Sequence, residues 1–319
     1  MNWTSTQIIT TAVSVCALVL GIANFIHTRI LARKDLARRI RDDRLNIDHL
    51  LDSTFELLYG KEGFENTKDS KKLRDAEVCV ERALMIDPNY PRGIEYEGHL
   101  FEVQGNEKAA IARYKKSISL DPSRARPHNC LGLIKNNEDS IGHFKKAIEL
   151  DPERAALPYY NLGKAYKRLR NLKEAENNLR AAIELRPKYQ YAYYELGELL
   201  RESGRYAEAR TAYEQAIAAD SSYINTMVAL GRMLMENNKE DDEGISWIEQ
   251  AMKINPTDDY PLAMLAAIYA DRKDPDKALS YAKRAIALNP TRRFQSDVFA
   301  DLTKEMNQLL ERHSKKEES

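Results

Sequence analysis

The chain has 319 residues, and its 49 Lys and Arg balance 49 Asp and Glu to a formal net charge of zero. Hydrophobic residues make up 43%, too much for a disordered chain, while 13 Gly and 11 Pro are too few for collagen-like, linker-rich or many-turned β architectures. Three Cys without a Cys-x-x-Cys pair exclude a disulfide framework and a thiolate metal site.

Residues 1–7 form a short tail without charge, and Ile8 to Ile26 adds nineteen more uncharged residues, IITTAVSVCALVLGIANFI. As a helix this run is about 28 Å long, matching a hydrocarbon core of about 30 Å. The sequence therefore predicts one transmembrane anchor over 8–27, touching the lipid bilayer through Ile8–Ile26. Gly21-Ile22-Ala23 resembles a signal-peptide cleavage site, but no Lys or Arg precedes the apolar run, as a signal peptide would require. Basic residues follow it instead: Arg29, Arg33, Lys34, Arg38, Arg39, Arg41 and Arg44, against Asp35, Asp42 and Asp43. Positive flanks stay in the cytosol, so the rest of the chain is expected there. A bacterial inner membrane is the favoured location and a mitochondrial outer membrane the alternative. The zero balance thus conceals a basic collar over 27–45 and a mildly acidic remainder.

Over 28–56 a juxtamembrane helix is expected, since Ile30, Ala37, Ile40, Ile47, Leu51 and Leu58 recur at helical spacing with the cations between them. It either touches anionic headgroups or is a solvated connector whose charges only fix topology.

Beyond residue 80 the sequence repeats. Segments such as KKAIELDP, RAAIELRP and KRAIALNP end at Pro88, Pro122, Pro152, Pro187, Ser221, Pro256 and Pro290, spaced 34, 30, 35, 34, 35 and 34 residues apart. Gly98, Gly132, Gly163, Gly197, Gly231 and Ala266 keep the same period. The clearest unit, Ala156 to Tyr189, has Tyr159, Leu162, Gly163 and Tyr166, then Ala175, Leu179 and Ala182, then Pro187. It resembles the tetratricopeptide repeat, whose pattern is W-x2-L-G-x2-Y, A-x3-F, P. The resemblance implies an all-α fold: a right-handed superhelical solenoid of antiparallel helix pairs, here with one N-terminal transmembrane helix. A degenerate unit over 57–90 precedes six units over 91–290. Phe294, Val298, Leu302, Met306 and Leu310 then suggest a capping helix over 291–312, before a disordered tail at 313–319. The third unit (Ala125 to Ala155) is short by three or four residues, so a blunted helix pair is expected there.

No catalytic constellation stands out. The six His form no pair at metal-ligand spacing, and neither a P-loop nor a Gly-x-Ser-x-Gly is present. The expectation is a protein that is not an enzyme, with no cofactor, no metal and no nucleic-acid partner. The resemblance implies instead a concave face lined by the first helix of each unit at positions 2, 5, 9, 12 and 13. Carried over, these positions give a peptide-binding groove of Tyr160, Lys164, Lys167, Arg168, Tyr191, Tyr194, Arg201, Arg232 and Tyr260. Tyr159, Tyr166, Tyr193 and Tyr213 fall on core positions of the pattern. Tyrosines offer apolar area with a polar tip, and the cations suit an acidic or C-terminal carboxylate peptide. Only scattered members of the family's carboxylate clamp are found (Asn129, Asn161, Lys164, Arg201). The expected function is a membrane-anchored scaffold or adaptor for a protein partner. The alternative is a regulatory or assembly subunit acting partly through its membrane helix.

Overall fold

The structure, a computed structural model, describes residues 29–31, 34–39, 41–58, 70–135, 137–238 and 241–289. The expected anchor (8–27), the capping helix (291–312) and the tail (313–319) lie outside them. Among the described residues every regular element is helical, and no helix is long and apolar enough to cross a membrane.

The chain divides into two compact bodies, residues 1–134 and 135–319. The first holds α1 (41–58), α2 (Ser70–Ile86), α3 (Pro91–Val103), α4 (Glu107–Leu120) and α5 (Ala125–Lys135) up to Ile134. The second holds α6 (Asp139–Leu150), α7 (Ala156–Arg168), α8 (Leu172–Leu185), α9 (Gln190–Glu202), α10 (Tyr206–Ala219), α11 (Ile224–Met233), α12 (Asp241–Ile254), α13 (Tyr260–Asp271) and α14 (Pro275–Leu288). The pairs α3/α4, α7/α8, α9/α10, α11/α12 and α13/α14 pack side by side, and all but α11/α12 are joined by a short turn.

The period has a steric cause. A Cβ placed on Gly98, Gly163, Gly197 or Gly231 would stand 2.9 Å from Tyr114, 2.8 Å from Leu179, 2.6 Å from Tyr213 or 2.8 Å from Ile248 respectively. These four first helices thus need a bare position where the large residue of the second helix enters, whereas α13 accommodates Ala266 there. The turns within pairs repeat as well. Gly105, Arg170, Gly204 and Lys273 close first helices at φ of 76°, 60°, 73° and 57°. The side chains of Asn106, Asn171 and Asp274 then accept from the backbone N–H three residues on, capping the second helix. After second helices, Asp87, Asp121, Asp220 and Asn255 form side-chain turns onto the residue two further on.

Departures from the period are absorbed locally. Gly231 and Gly244 are 13 residues apart, where Gly163–Ala175 and Gly197–Ala209 are 12. The extra residue falls where α11 widens into a π-helical turn, Leu234–Asn238. Arg272 donates to the Met235 carbonyl within that turn at 2.6 Å. Between Ala147 and Gly163 the spacing is 16, against 15 for Ala182–Gly197, and a 3-10 turn at Pro152–Arg154 takes up the surplus. The short unit loses its residues between Gly132 and Ser140, and its helices α5 and α6 have 11 and 12 residues against 13 and 14 in α7 and α8.

The expected boundary between juxtamembrane helix and degenerate repeat, at 56/57, falls within α1. Ile47, Leu51 and Leu58 of α1 are buried with Ala76, Val80 and Ala83 of α2 and Tyr96 and Leu100 of α3. The second half of the basic helix is therefore the first helix of the degenerate pair, because its apolar stripe has nowhere else to be buried.

Candidate functional site

Residues one period apart on successive first helices of the second body are lateral neighbours. Lys164, Glu198 and Arg232 follow one another at intervals of 34, and Arg168, Glu202 and Glu236 do the same. The first row alternates in sign, while the second runs from a cation to two carboxylates. Between α7 and α9 the side chains of Lys164, Lys167, Arg168, Arg170, Glu195 and Glu202 line a cleft of about 340 Å³. Four cations there meet two carboxylates. Lys167 Nζ lies 3.4 Å from both Glu195 and Glu202, Lys164 Nζ 3.6 Å from Glu195, and Arg170 3.6 Å from Glu202. The lining of the cleft thus holds two more cations than carboxylates.

Deeper in the face Glu198 is a buried hub. It accepts from the Tyr213 hydroxyl at 2.6 Å, from Arg201 at 3.0 Å and from Arg232 at 3.3 Å. Burial pushes the Glu198 carboxyl toward the neutral form, but the Arg201 and Tyr213 hydrogen bonds and the Arg232 charge outweigh it and hold its pKa below 4.5. Arg201 and Arg232 also approach Glu236, at 4.0 and 3.8 Å. Both arginines thus serve the fold's own carboxylates first.

Tyrosines fill the other end of the same helices. Tyr160 and Tyr189 are 5.3 Å apart between ring centroids, Tyr189 and Tyr191 6.0 Å, Tyr191 and Tyr223 5.0 Å, and Tyr223 and Tyr194 5.6 Å. Tyr194 in turn lies 6.3 Å from Tyr213. Burial, reinforced by Glu195 at Tyr160 and by Glu198 at Tyr194, raises the phenol pKa of both far above the ordinary 10.0. They remain neutral donors at any physiological pH.

The sequence-predicted residues divide accordingly. Lys164, Lys167 and Arg168 share the cleft. Tyr160 and Tyr194 are half-buried against the core formed by α8, α9, α10 and α11, although the pattern set them off the core. Tyr191 joins the ring chain, Arg201 and Arg232 hold Glu198, and Tyr260 packs beside Ile224 and Met227. Of the four tyrosines assigned to core positions, Tyr213 is fully buried while Tyr159, Tyr166 and Tyr193 are half-buried. The sequence reading passed over Glu195, Arg170, Tyr189 and Tyr223. The only signal for Tyr189 and Tyr223 was their shared interval of 34 residues after the helix-ending turn.

In the first body the corresponding face is occupied by its own side chains. Buried Glu95 accepts from Arg124 at 2.6 and 2.8 Å, and Arg126 stacks over both Phe55 (5.2 Å) and Tyr96 (5.4 Å). Arg92 is held by Asp48 and Asp52 of α1. Burial pushes the nearby Cys130 thiol up to about 12, leaving it unreactive. Among the described residues no group of His, Cys, Asp or Glu is placed to hold a metal ion.

Comparison with known proteins agrees with this architecture. The tetratricopeptide repeat family models match residues 160–224 and 261–292, so the chain carries tetratricopeptide repeats. A comparison with curated proteins returned no match. Among solved structures, the APC/C hetero-tetramer Cut9-Hcn1 aligns with a TM-score of 0.61 at 18% identity, over 75% of this chain and 46% of that one. A tetratricopeptide repeat protein from Parabacteroides merdae aligns with a TM-score of 0.57 at 15% identity, over 82% of this chain and 99% of that one. The type IV pilus biogenesis factor PilW gives 0.51 at 18% identity, over 58% of this chain and 87% of that one. At these identities the likeness is one of fold. Proteins of this repeat class act generally as scaffolds for protein partners and not as enzymes.

Proposed function

We propose that the protein is a membrane-anchored scaffold whose second body holds an extended peptide bearing acidic or C-terminal carboxylate groups. The observation that carries this reading is the excess of cations in the α7–α9 cleft beside a wall of tyrosine rings. A ligand carboxylate would enter between Lys164, Lys167, Arg168 and Arg170, while its preceding side chains lie against Tyr160 and Tyr191. The groove of the first body contributes less, since Arg126 and Glu95 already fill it. Ile8–Ile26 would fix the scaffold at the cytosolic face of a membrane, a bacterial inner membrane in the favoured case, and so raise its effective concentration toward membrane-associated partners.

The test is titration of the full chain with a fluorescent peptide ending in consecutive acidic residues. Reversing Lys164 and Lys167 to Glu is expected to weaken binding about tenfold or more and to flatten its salt dependence. Lys173→Glu, on an exposed side of α8, serves as the control. Equal affinity for the double variant and the control would refute the cleft assignment.

A further inference from the structure

The helical segments 29–31, 34–39 and 41–58 carry two stripes. Ile47, Leu51, Thr54 and Leu58, at steps of four, three and four, are buried against the body. A second stripe, Ile30, Lys34, Arg38, Arg41 and Leu45, runs at steps of four, four, three and four. Leu45 and Ile47 are two residues apart, or about 200° around the helix, so the second stripe lies on the side turned away from the core. Every member of it is exposed, Ile30 by 46% and Leu45 by 64%, and Leu31 beside it by 47%. Three cations are thus bracketed by large apolar side chains at both ends. Asp35 and Asp42 fall about 100° to one side of the stripe and Asp43 about opposite it, with Arg39 among them. The stripe begins four residues after the uncharged run ends at Ile26.

The geometry points to a surface that lies on anionic phospholipid headgroups, with Lys34, Arg38 and Arg41 on the phosphates and Ile30, Leu31 and Leu45 dipping toward the acyl boundary. Apart from Arg39, the cations of 34–46 lie on the side of the helix away from Asp35, Asp42 and Asp43, which distinguishes this surface from a solvated connector, in which the two would be interspersed. Charge complementarity selects an anionic over a zwitterionic bilayer. An anchor at Ile8–Ile26, so near in sequence, would bring the stripe to headgroup depth, and in that respect the inference rests on the anchoring proposed above. The consequence is that lipid composition, besides the apolar run, holds the first body against the membrane.

The experiment reconstitutes the full chain in vesicles of phosphatidylcholine alone and of phosphatidylcholine with one-quarter phosphatidylglycerol, and reads two things separately. Resistance to alkaline carbonate reports the anchor, and amide hydrogen exchange over 34–46 reports the stripe. Exchange is expected to slow at least tenfold in the anionic vesicles only, and to recover in 1 M salt. K34Q/R38Q/R41Q should lose the protection while keeping its helical circular dichroism, and R38K/R41K should retain it. Equal exchange in the two vesicle types overturns the inference, whether or not the chain resists carbonate. Anionic-dependent protection in a carbonate-extractable chain upholds the stripe and overturns the anchor.

Discussion

Gly197→Ala isolates the steric logic of the repeat. The added methyl would stand 2.6 Å from Cδ1 and Cε1 of Tyr213, whose ring is fully buried and whose hydroxyl is tied to Glu198 at 2.6 Å. The ring cannot swing aside as a flexible side chain would. Overpacking of this kind costs about 1–3 kcal/mol. Displacing the ring adds the hydrogen bond to a charged acceptor, about 1.5–3 kcal/mol. Ala is a better helix former than Gly by about 1 kcal/mol, which offsets part of the loss. The net expectation is a destabilisation of about 1.5–5 kcal/mol. Stacked repeats can unfold unit by unit, so a single global midpoint can miss it. Native-state amide exchange over Gln190–Ala219, which resolves α9 and α10, is the suitable assay. Slower exchange there, as an ordinary helical Gly→Ala change would give, would refute the close-approach account.

Two further outcomes are expected. Lys273→Gly, at φ 57° and exposed, should stabilise α13–α14 by about 0.5–1 kcal/mol, since the left-handed penalty exceeds glycine's entropy cost; a lower urea midpoint would contradict it. Glu198 has a pKa depressed below 4.5, so its contribution is complete at neutral pH and disappears as pH falls through that depressed value. The stability difference between the native chain and Glu198→Gln should therefore shrink on acidification below about pH 4.5. A difference that stays constant from pH 7 to pH 3 would show that the charge of Glu198 is not what matters.

The period was legible in the sequence because close packing leaves a residue type at each contact: glycine where Tyr114, Leu179, Tyr213 and Ile248 enter, and Asx or proline where helices stop. Even the irregular spacings were visible as numbers, 30 and 35 in place of 34. Their meaning was not. An extra residue can be looped out, turned into a 3-10 turn or absorbed as a π-helix, and the choice at Leu234–Asn238 goes with the Arg272 guanidinium that meets the Met235 carbonyl. The site shows the same division. Which side chains face the groove followed from position within the unit, but which cations serve a ligand depended on partners a full repeat away. Arg201 and Arg232 converge on the buried Glu198, whereas Lys164 and Lys167 meet Glu195 and Glu202 at the lining of the cleft.

By itself, then, the sequence determined the helical class, the repeat and the segregation of its charge into a basic collar and an acidic remainder. Each of these is carried by local spacing along one chain, which a linear reading preserves. Tertiary structure decided that the collar's helix is shared, its stripe ending at Leu58 buried on α2 and α3 and its stripe through Lys34 and Arg41 exposed. It also decided which charges are already paired. Both depend on distances between residues some 28 to 40 positions apart, and those exist only once the helices have packed.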